Sequence, residues 1–122
     1  MSQVVHFEIS ATNPAQVGQF YADVFGWGVH QWDGPQEYWL LKTGEAATPG
    51  IDGGIMVRQE GFPSVVNTIN VGSVDEVVVK IVASGGAVMV PKMAVPHIGY
   101  MTYCTDPEGN TFGVMPSDPT AS

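Results

Sequence analysis

The sequence predicts an α+β fold made of two modules that each run β-α-β-β-β. Three observations predict it: short runs that alternate apolar and polar residues, two capped amphipathic segments, and the return of the same element order after about 60 residues. A chain of 122 residues is the length of one ordinary domain. We therefore expect a single domain, 1–122, with modules at about 1–60 and 61–122.

The first strand is predicted at residues 4–9. Side chains along a strand point alternately to opposite faces, so Phe7 and Ile9 share one face while His6 and Glu8 share the other. This pattern is typical of a half-buried strand that has one polar face.

The first helix follows directly and is predicted over Pro14 to Phe25. Asn13 is a favoured N-cap residue, proline at the next position suits the first helical turn, and Gly26 provides a stop. Three short runs rich in aromatic and β-branched residues then predict strands at 28–32, 37–42 and 54–58.

The second module repeats this order. A strand is predicted at 65–71, and Ser73 with Glu76 forms a capping-box pattern that begins a helix from Val74 to Ser84. Further strands are predicted at 87–90, 99–105 and 111–115. The residues expected to be buried between sheet and helices are Phe7, Ile9, Phe20, Val78, Ile81, Phe112 and Val114.

Composition and charge exclude several classes of function. Twelve acidic residues against four basic ones give a formal charge of −8, which repels phosphate backbones and anionic lipid. We therefore expect no nucleic acid and no membrane partner. The sequence shows no apolar run of membrane-spanning length and no signal-peptide pattern, and its one cysteine, Cys104, suits a reducing compartment, so a cytoplasmic protein is expected.

Several short motifs resemble the vicinal oxygen chelate superfamily. They are Phe20-Tyr21 and Phe25-Gly26-Trp27 around the end of the first helix, Gly85-Gly86 after the second, and Asp106-Pro107-Glu108-Gly109-Asn110 before the last strand. The superfamily contains glyoxalases, bleomycin-resistance proteins, fosfomycin-resistance enzymes and extradiol dioxygenases. The resemblance implies a mixed sheet curled into a cup, a cavity between the modules, and a homodimer.

The resemblance also implies where a divalent metal would be held, on the first and last strands of the modules. His6 occupies the first-strand position of module one, but Val66 and Gly113 occupy the corresponding positions of module two. The last strand of module one, at 54–57, carries neither carboxylate nor imidazole. One donor cannot hold a catalytic metal, so no cofactor is predicted. Only an inexact alignment would let Glu8 or Asp52 supply a second ligand.

Two functions compete on this evidence. The first is a metal-free binder of a small apolar or aromatic molecule, of the bleomycin-resistance type. The alternative is an enzyme. It would be either a divalent-metal-dependent lyase, isomerase or dioxygenase with His6 as a metal ligand, or a metal-free enzyme in which His6, Glu8 or His97 performs acid/base chemistry. The missing donors favour the binder, and no catalytic residue is assigned. The predicted ligand-binding residues are His6, Glu8, Thr68, Asn70, His97 and Met115.

Overall fold

The structure contains eight strands and two helices in the predicted order. It is a computed structural model that describes residues 2–34, 37–95 and 99–116. The elements are β1 (Val4–Ala11), α1 (Pro14–Phe25), β2 (Gly28–Gln31), β3 (Tyr38–Lys42), β4 (Asp52–Val57), β5 (Val65–Asn70), α2 (Val74–Ala83), β6 (Ala87–Val95), β7 (Gly99–Thr105) and β8 (Thr111–Met115). The α+β class and the double β-α-β-β-β order are confirmed.

The chain divides into two units of similar internal pairing. The first unit is His6–Val66, and the second joins residues up to Val5 to those from Asn67 onward. Strand order in the first unit is β2-β3-β4-β1, and in the second it is β5-β8-β7-β6. In each unit the first and last strands pair in parallel and the other pairs are antiparallel. The repeat seen in the sequence is therefore also a repeat of strand pairing.

The core of the first unit lies between its sheet and α1. Ala11, Leu41 and Ile55 are buried, with Phe7 and Ile9 among the partly buried side chains packed against them. Apolar side chains from alternate positions of β1, β3 and β4 thus meet on one face, which shields them from water.

The prediction that Phe20 is buried is wrong, because its side chain is 56% exposed. Helix α1 instead turns Pro14 and Gly18 inward. A Cβ atom at Gly18 would lie 2.9 Å from Cγ1 of Val29, so the helix backbone approaches β2 closely there. Phe20 is two residues from Gly18, about 200° around the helix, and therefore points away from the core.

The core of the second unit follows the prediction. Val114 is buried with Val71 and Val74, and the partly buried side chains packed against them include Val78, Ile81 and Phe112. The face of α2 that carries these residues is the one given by the i, i+3, i+4 spacing.

Both predicted helix N-caps are present. The Asn13 side chain accepts a hydrogen bond from the backbone N–H of Gln16 at 3.1 Å, and Ser73 Oγ accepts one from the N–H of Glu76 at 3.3 Å. Helix α1 has the predicted bounds, whereas α2 ends at Ala83, with Ser84 as its C-cap.

Strand β6 extends five residues beyond the predicted end at Val90. A proline at position 91 argues against a central strand, but β6 lies at the end of the strand order of its unit. Its pairing with β7 shifts register between Val88 and Val90 and again between Val90 and Met93. These irregularities accommodate Pro91 within the strand.

Neither helix in the described part of the chain has the length and hydropathy needed to cross a membrane.

Loss of either N-cap should destabilise the fold. Asn13→Ala or Ser73→Ala leaves an N–H of the first helical turn without its partner, and each should lower the free energy of unfolding by about 1 kcal/mol. Urea unfolding followed by circular dichroism measures this. The matched variants Asn13→Asp and Ser73→Thr keep an acceptor oxygen and should stay close to the original stability. Equal stability of the alanine and cap-retaining variants would contradict the assignment.

Candidate functional site

Strand β1 gives the first unit its polar face. His6, Glu8 and Ser10 alternate with the apolar residues that pack beneath α1. Glu8 and Ser10 are nearly inaccessible to solvent, at 5% and 2% exposure, and His6 is half-buried. A buried carboxylate is costly unless it has a role or a partner, so this face differs from an ordinary solvated strand surface.

His6 is hydrogen-bonded to a tyrosine from another strand. Its Nε2 atom lies 2.9 Å from the hydroxyl oxygen of Tyr38, which is on β3. In the strand order, β4 lies between β3 and β1, so the Tyr38 side chain must cross β4 to reach His6.

Gly54 is the residue that permits this crossing. A Cβ atom at position 54 would lie 2.0 Å from the Tyr38 hydroxyl oxygen and 2.3 Å from Cζ. The preceding residue, Gly53, leaves space for the Phe7 ring on the opposite face of the sheet. A Cβ atom at position 53 would lie 2.5 Å from Cζ of Phe7. The two consecutive glycines of β4 thus make room for an aromatic ring on each side of the sheet.

Two carboxylates act electrostatically on His6. Asp52 is its partner in the parallel pairing of β1 and β4, and Glu8 lies two residues along β1 on the same face. Burial lowers the pKa of His6 below its ordinary value of 6.5, although the negative charges of Glu8 and Asp52 act in the opposite direction. Since burial is the larger cause, the imidazole is predominantly neutral at pH 7.

The Asp52 carboxylate also anchors the loop between β3 and β4. Its Oδ1 atom accepts hydrogen bonds from the backbone N–H of Thr43 at 2.9 Å and from the Thr43 hydroxyl at 3.3 Å. A shallow depression of about 220 Å³ opens beside this loop, between Lys42 and Asp52. Asp52 therefore has a structural role in addition to its effect on His6.

In the second unit, Thr68, Asn70 and Met115 share one face. Asn70 pairs with Met115 and Thr68 pairs with Gly113, while Ile69 and Val114 lie on the core side. Asn70 is exposed and Met115 is half-buried, but Thr68 is fully buried. Within the described residues, the Thr68 hydroxyl has no hydrogen-bond partner.

The predicted binding residues thus fall on two faces, one in each unit. His6 and Glu8 come together in the first, and Thr68, Asn70 and Met115 come together in the second. His97 lies outside the described residues. That these side chains contact one ligand stays a prediction.

The donor set does not fit a catalytic metal centre of the superfamily type. Val66 is buried and carries no donor, and a Cβ atom at Gly113 would already lie 3.2 Å from Oγ1 of Thr68. Within residues 2–34, 37–95 and 99–116, no cluster of three histidine, cysteine, aspartate or glutamate side chains could hold a metal ion. At His6, the Nε2 atom is hydrogen-bonded to Tyr38.

Two other candidates have structural explanations. Cys104 is fully buried, and burial raises the pKa of its thiol, which disfavours the reactive thiolate. Asp106 accepts hydrogen bonds from the backbone N–H groups of Glu108 and Asn110 at 2.9 and 3.0 Å and from the Asn110 side chain at 2.9 Å. Hydrogen bonds from Asn110 lower the pKa of Asp106. This carboxylate therefore shapes the turn before β8.

Sequence reasoning missed the hydrogen bond between Tyr38 and His6 and the role of Gly54. Alternation along β3 places Tyr38 on the face opposite Trp39 and Leu41, which contribute to the core. The consecutive glycines Gly53 and Gly54, at the start of the strand predicted over 54–58, were the available signal, since glycine within a strand often marks the close approach of another group.

Comparison with known proteins agrees with the fold. A model of the glyoxalase-like domain matches residues 5–115. The chain belongs to this family. The match confirms the resemblance to the vicinal oxygen chelate superfamily, to which glyoxalase-like domains belong.

The curated relatives of this glyoxalase-like chain include the protein CFP32 of Mycobacterium bovis and Mycobacterium tuberculosis, provisionally named a glyoxylase. The chain is 33% identical to it over 113 residues, which are 88% of this chain and 42% of CFP32. The chain thus spans less than half the length of these relatives.

Solved structures show the same glyoxalase-like fold. A hypothetical protein from Bacillus halodurans superposes with a TM-score of 0.74 at 14% identity, covering 99% of this chain and 98% of that one. Methylmalonyl-CoA epimerase from Streptomyces coelicolor, in complex with 2-nitronate-propionyl-CoA, superposes with a TM-score of 0.73 at 16% identity, covering 98% and 97%. At such identities the likeness establishes the fold alone.

The protonation of His6 should affect stability below neutral pH. Because its pKa in the folded protein is lower than 6.5, the unfolded state binds more protons as the pH falls below that value. The free energy of unfolding should therefore decrease as the pH is lowered from about 7.5 to about 5.5.

An NMR titration of the His6 ring measures the pKa, and urea unfolding at the two pH values measures the stability. The matched variant His6→Gln has no titrating ring and should show a weaker pH dependence. A His6 pKa at or above 6.5 would contradict the dominance of burial.

Proposed function

We propose that the chain binds a small, partly aromatic molecule at the polar face of its first unit, without a tightly held metal ion. It would be a binder of the kind that bleomycin-resistance proteins represent in the superfamily. The observation that carries the proposal is the hydrogen bond between His6 and Tyr38, because it combines a polar group with an aromatic ring on a face that also contains a buried carboxylate. Such a combination of apolar surface with a few fixed polar groups is typical of small-molecule sites.

Neighbouring aromatic surface supports this proposal. The Trp32 ring meets the Tyr38 ring edge to face, with centroids 6.1 Å apart. Leu40 follows Tyr38 on the same face of β3, and both are half-buried. A flat apolar ligand could therefore contact ring surface while a polar group of the ligand reaches the His6 and Tyr38 pair.

The second candidate function is a divalent-metal-dependent lyase, isomerase or dioxygenase. The fold shared with methylmalonyl-CoA epimerase and the provisional name of CFP32 favour it. The donor set weighs against it, because Val66 and Gly113 replace two of the expected ligands.

The proposal includes a homodimer. Phe20, Val24 and Phe25 are each more than half exposed on α1, and a partner subunit would remove this apolar surface from water. The chain carries a charge of −8, but the only charged residue of α1 is Asp23, which accepts a hydrogen bond from Gln19 at 2.8 Å. With a single charged residue on this helix, charge repulsion between two copies would be small there.

The dimer can be tested by sedimentation at micromolar concentration. The original chain should sediment as a species of twice 13.0 kDa, and Phe20→Asp with Phe25→Asp should sediment as a monomer. Val79→Asp, which replaces another exposed apolar residue, is the matched control on α2 and should remain dimeric. A monomeric original chain would contradict this part of the proposal.

The binding function can be tested by elemental analysis together with a thermal-shift screen of metals and aromatic compounds. We expect substoichiometric metal in the purified protein. His6→Ala should leave the metal content unchanged and weaken binding of an aromatic hit by about twofold to twelvefold, the equivalent of about 0.5–1.5 kcal/mol for one hydrogen bond. Tyr38→Phe, which keeps the ring and loses the hydroxyl, should have a similar effect.

His30→Ala on β2 is the matched histidine control and should change neither the metal content nor the affinity for the aromatic compound. Recovery of about one equivalent of nickel, zinc, manganese or iron per subunit, lost in His6→Ala but kept in His30→Ala, would establish the metalloenzyme instead. Aromatic compounds that bind without affecting His6 or Tyr38 would place the site elsewhere.

A further inference from the structure

The two aromatic side chains of the site each lie over a glycine, Tyr38 over Gly54 and Trp32 over Gly34. We infer that these two glycines are positioning residues that set the specificity of the site. They hold the two rings so that flat aromatic molecules bind better than saturated molecules of the same size. This inference rests on the binding function proposed above and specifies its ligand class.

The first step is the contact between Tyr38 and Gly54. In the pairing of β3 and β4, Tyr38 is opposite Met56, yet the end of its ring lies over Gly54, two residues away on β4. A Cβ atom at position 54 would lie 2.0 Å from the hydroxyl oxygen, 2.3 Å from Cζ and 2.4 Å from Cε1. Any other residue would therefore displace the Tyr38 hydroxyl, whose oxygen lies 2.9 Å from Nε2 of His6.

The second step is the contact between Trp32 and Gly34. A Cβ atom at position 34 would lie 2.0 Å from Cη2 of Trp32 and 2.2 Å from both Cζ2 and Cζ3. These three atoms are neighbours in the six-membered ring of the indole, so this ring lies directly against the backbone of Gly34. Neither Gly34 nor Gly54 is among the glycines with a positive φ angle. Space above the backbone, and not an unusual conformation, is what glycine provides at both positions.

The third step is the arrangement of the two rings. Trp32 and Tyr38 meet edge to face at an interplanar angle of 78°, and the backbone N–H of Trp32 donates to the carbonyl oxygen of Tyr38 at 2.8 Å. Both residues are half-buried, so part of each stays accessible to a ligand. Contacts between aromatic rings contribute more than the area they bury, whereas a saturated ring gains from burial alone. Rings held in this way therefore favour a flat aromatic ligand.

Two uncharged probes of nearly equal size test the inference: 2-naphthylmethanol and its saturated counterpart, decahydro-2-naphthylmethanol. NMR titration of each probe gives its dissociation constant and shows which residues shift. The ratio of the two dissociation constants measures the aromatic selectivity. For the original chain we expect this ratio to favour 2-naphthylmethanol, with shifts at His6, Tyr38 and the indole N–H of Trp32.

The variant Gly54→Ala tests the first glycine. It should lower the aromatic selectivity by about twofold to twelvefold, the contribution of one aromatic contact. Because Tyr38 would no longer cover His6, the same variant should raise the pKa of His6, which burial holds down in the original chain. Gly28→Ala is the matched control on β2, where a Cβ atom would lie an ordinary 3.5 Å from Cβ of Lys42. It should change neither the selectivity nor the pKa of His6.

A double-variant cycle separates positioning from general destabilisation. If Gly54 acts through Tyr38, then adding Gly54→Ala to Tyr38→Ala should remove no further selectivity and should leave the pKa of His6 unchanged. The double variant also has no overlap at position 54, so it should fold, and it decides the question if Gly54→Ala alone does not fold. The corresponding cycle of Gly34→Ala with Trp32→Ala tests the second glycine. A further loss of selectivity in either double variant would contradict the inference.

The outcomes separate this inference from the binding function. If 2-naphthylmethanol binds at His6 and Tyr38 but Gly54→Ala or Gly34→Ala keeps the selectivity of the original chain, the inference is wrong and the binding function stands. The same conclusion follows if the original chain does not favour the aromatic probe. If neither probe shifts His6, Tyr38 or Trp32, both the inference and the binding function fail.

Discussion

Strand β4 lacks a side chain at two successive positions, and both faces of the first unit depend on this. Gly53 leaves space for the Phe7 ring on the side that packs toward the core, and Gly54 leaves space for Tyr38 on the polar side. Glycine is a poor strand former because it loses more backbone entropy and offers no side chain to pack. The cost is offset here by two aromatic side chains that lie directly against the strand, one for the core and one for the site.

On the polar face of β1, burial and neighbouring negative charge act on the pKa of His6 in opposite directions. Burying an imidazole favours its neutral form, and placing carboxylates beside it favours the protonated form. At His6 burial is the larger effect, which leaves a neutral ring that can donate through one nitrogen and accept through the other. A neutral imidazole paired with a tyrosine hydroxyl can satisfy a donor or an acceptor on a ligand.

The sequence predicted those features that depend on local signals. The N-caps at Asn13 and Ser73 are set by a few adjacent residues, and both helices begin where these residues indicate. The face of α1 was predicted incorrectly at Phe20, because helical spacing alone fits more than one apolar stripe. The close approach of Gly18 to Val29, a contact with another strand, selects the stripe that is buried.

The hydrogen bond between His6 and Tyr38 could not be predicted in the same way. It depends on the order β3-β4-β1 and on the residue of β4 that lies beneath the tyrosine. The sequence separation is 32 residues, and three strands must be in register before the two side chains meet. The alternation of apolar and polar residues along β1 places His6 on the polar face, but no local sequence pattern identifies Tyr38 as its hydrogen-bond partner.

The two positions Val66 and Gly113, where the resemblance implies metal donors, show why a single substitution would not supply a metal centre here. A metal centre requires donor atoms and also space in which those donors can converge. At Gly113 the position where a Cβ atom would lie is 3.2 Å from Thr68 Oγ1 and 3.4 Å from Cε1 of Tyr103, so neighbouring side chains would have to shift before a longer one could be accommodated. Val66, at the other expected position, is itself 1% exposed within the packed interior. The donors are absent and the surrounding side chains leave little room for replacements, whereas β3 and β4 of the first unit bring a tyrosine to His6.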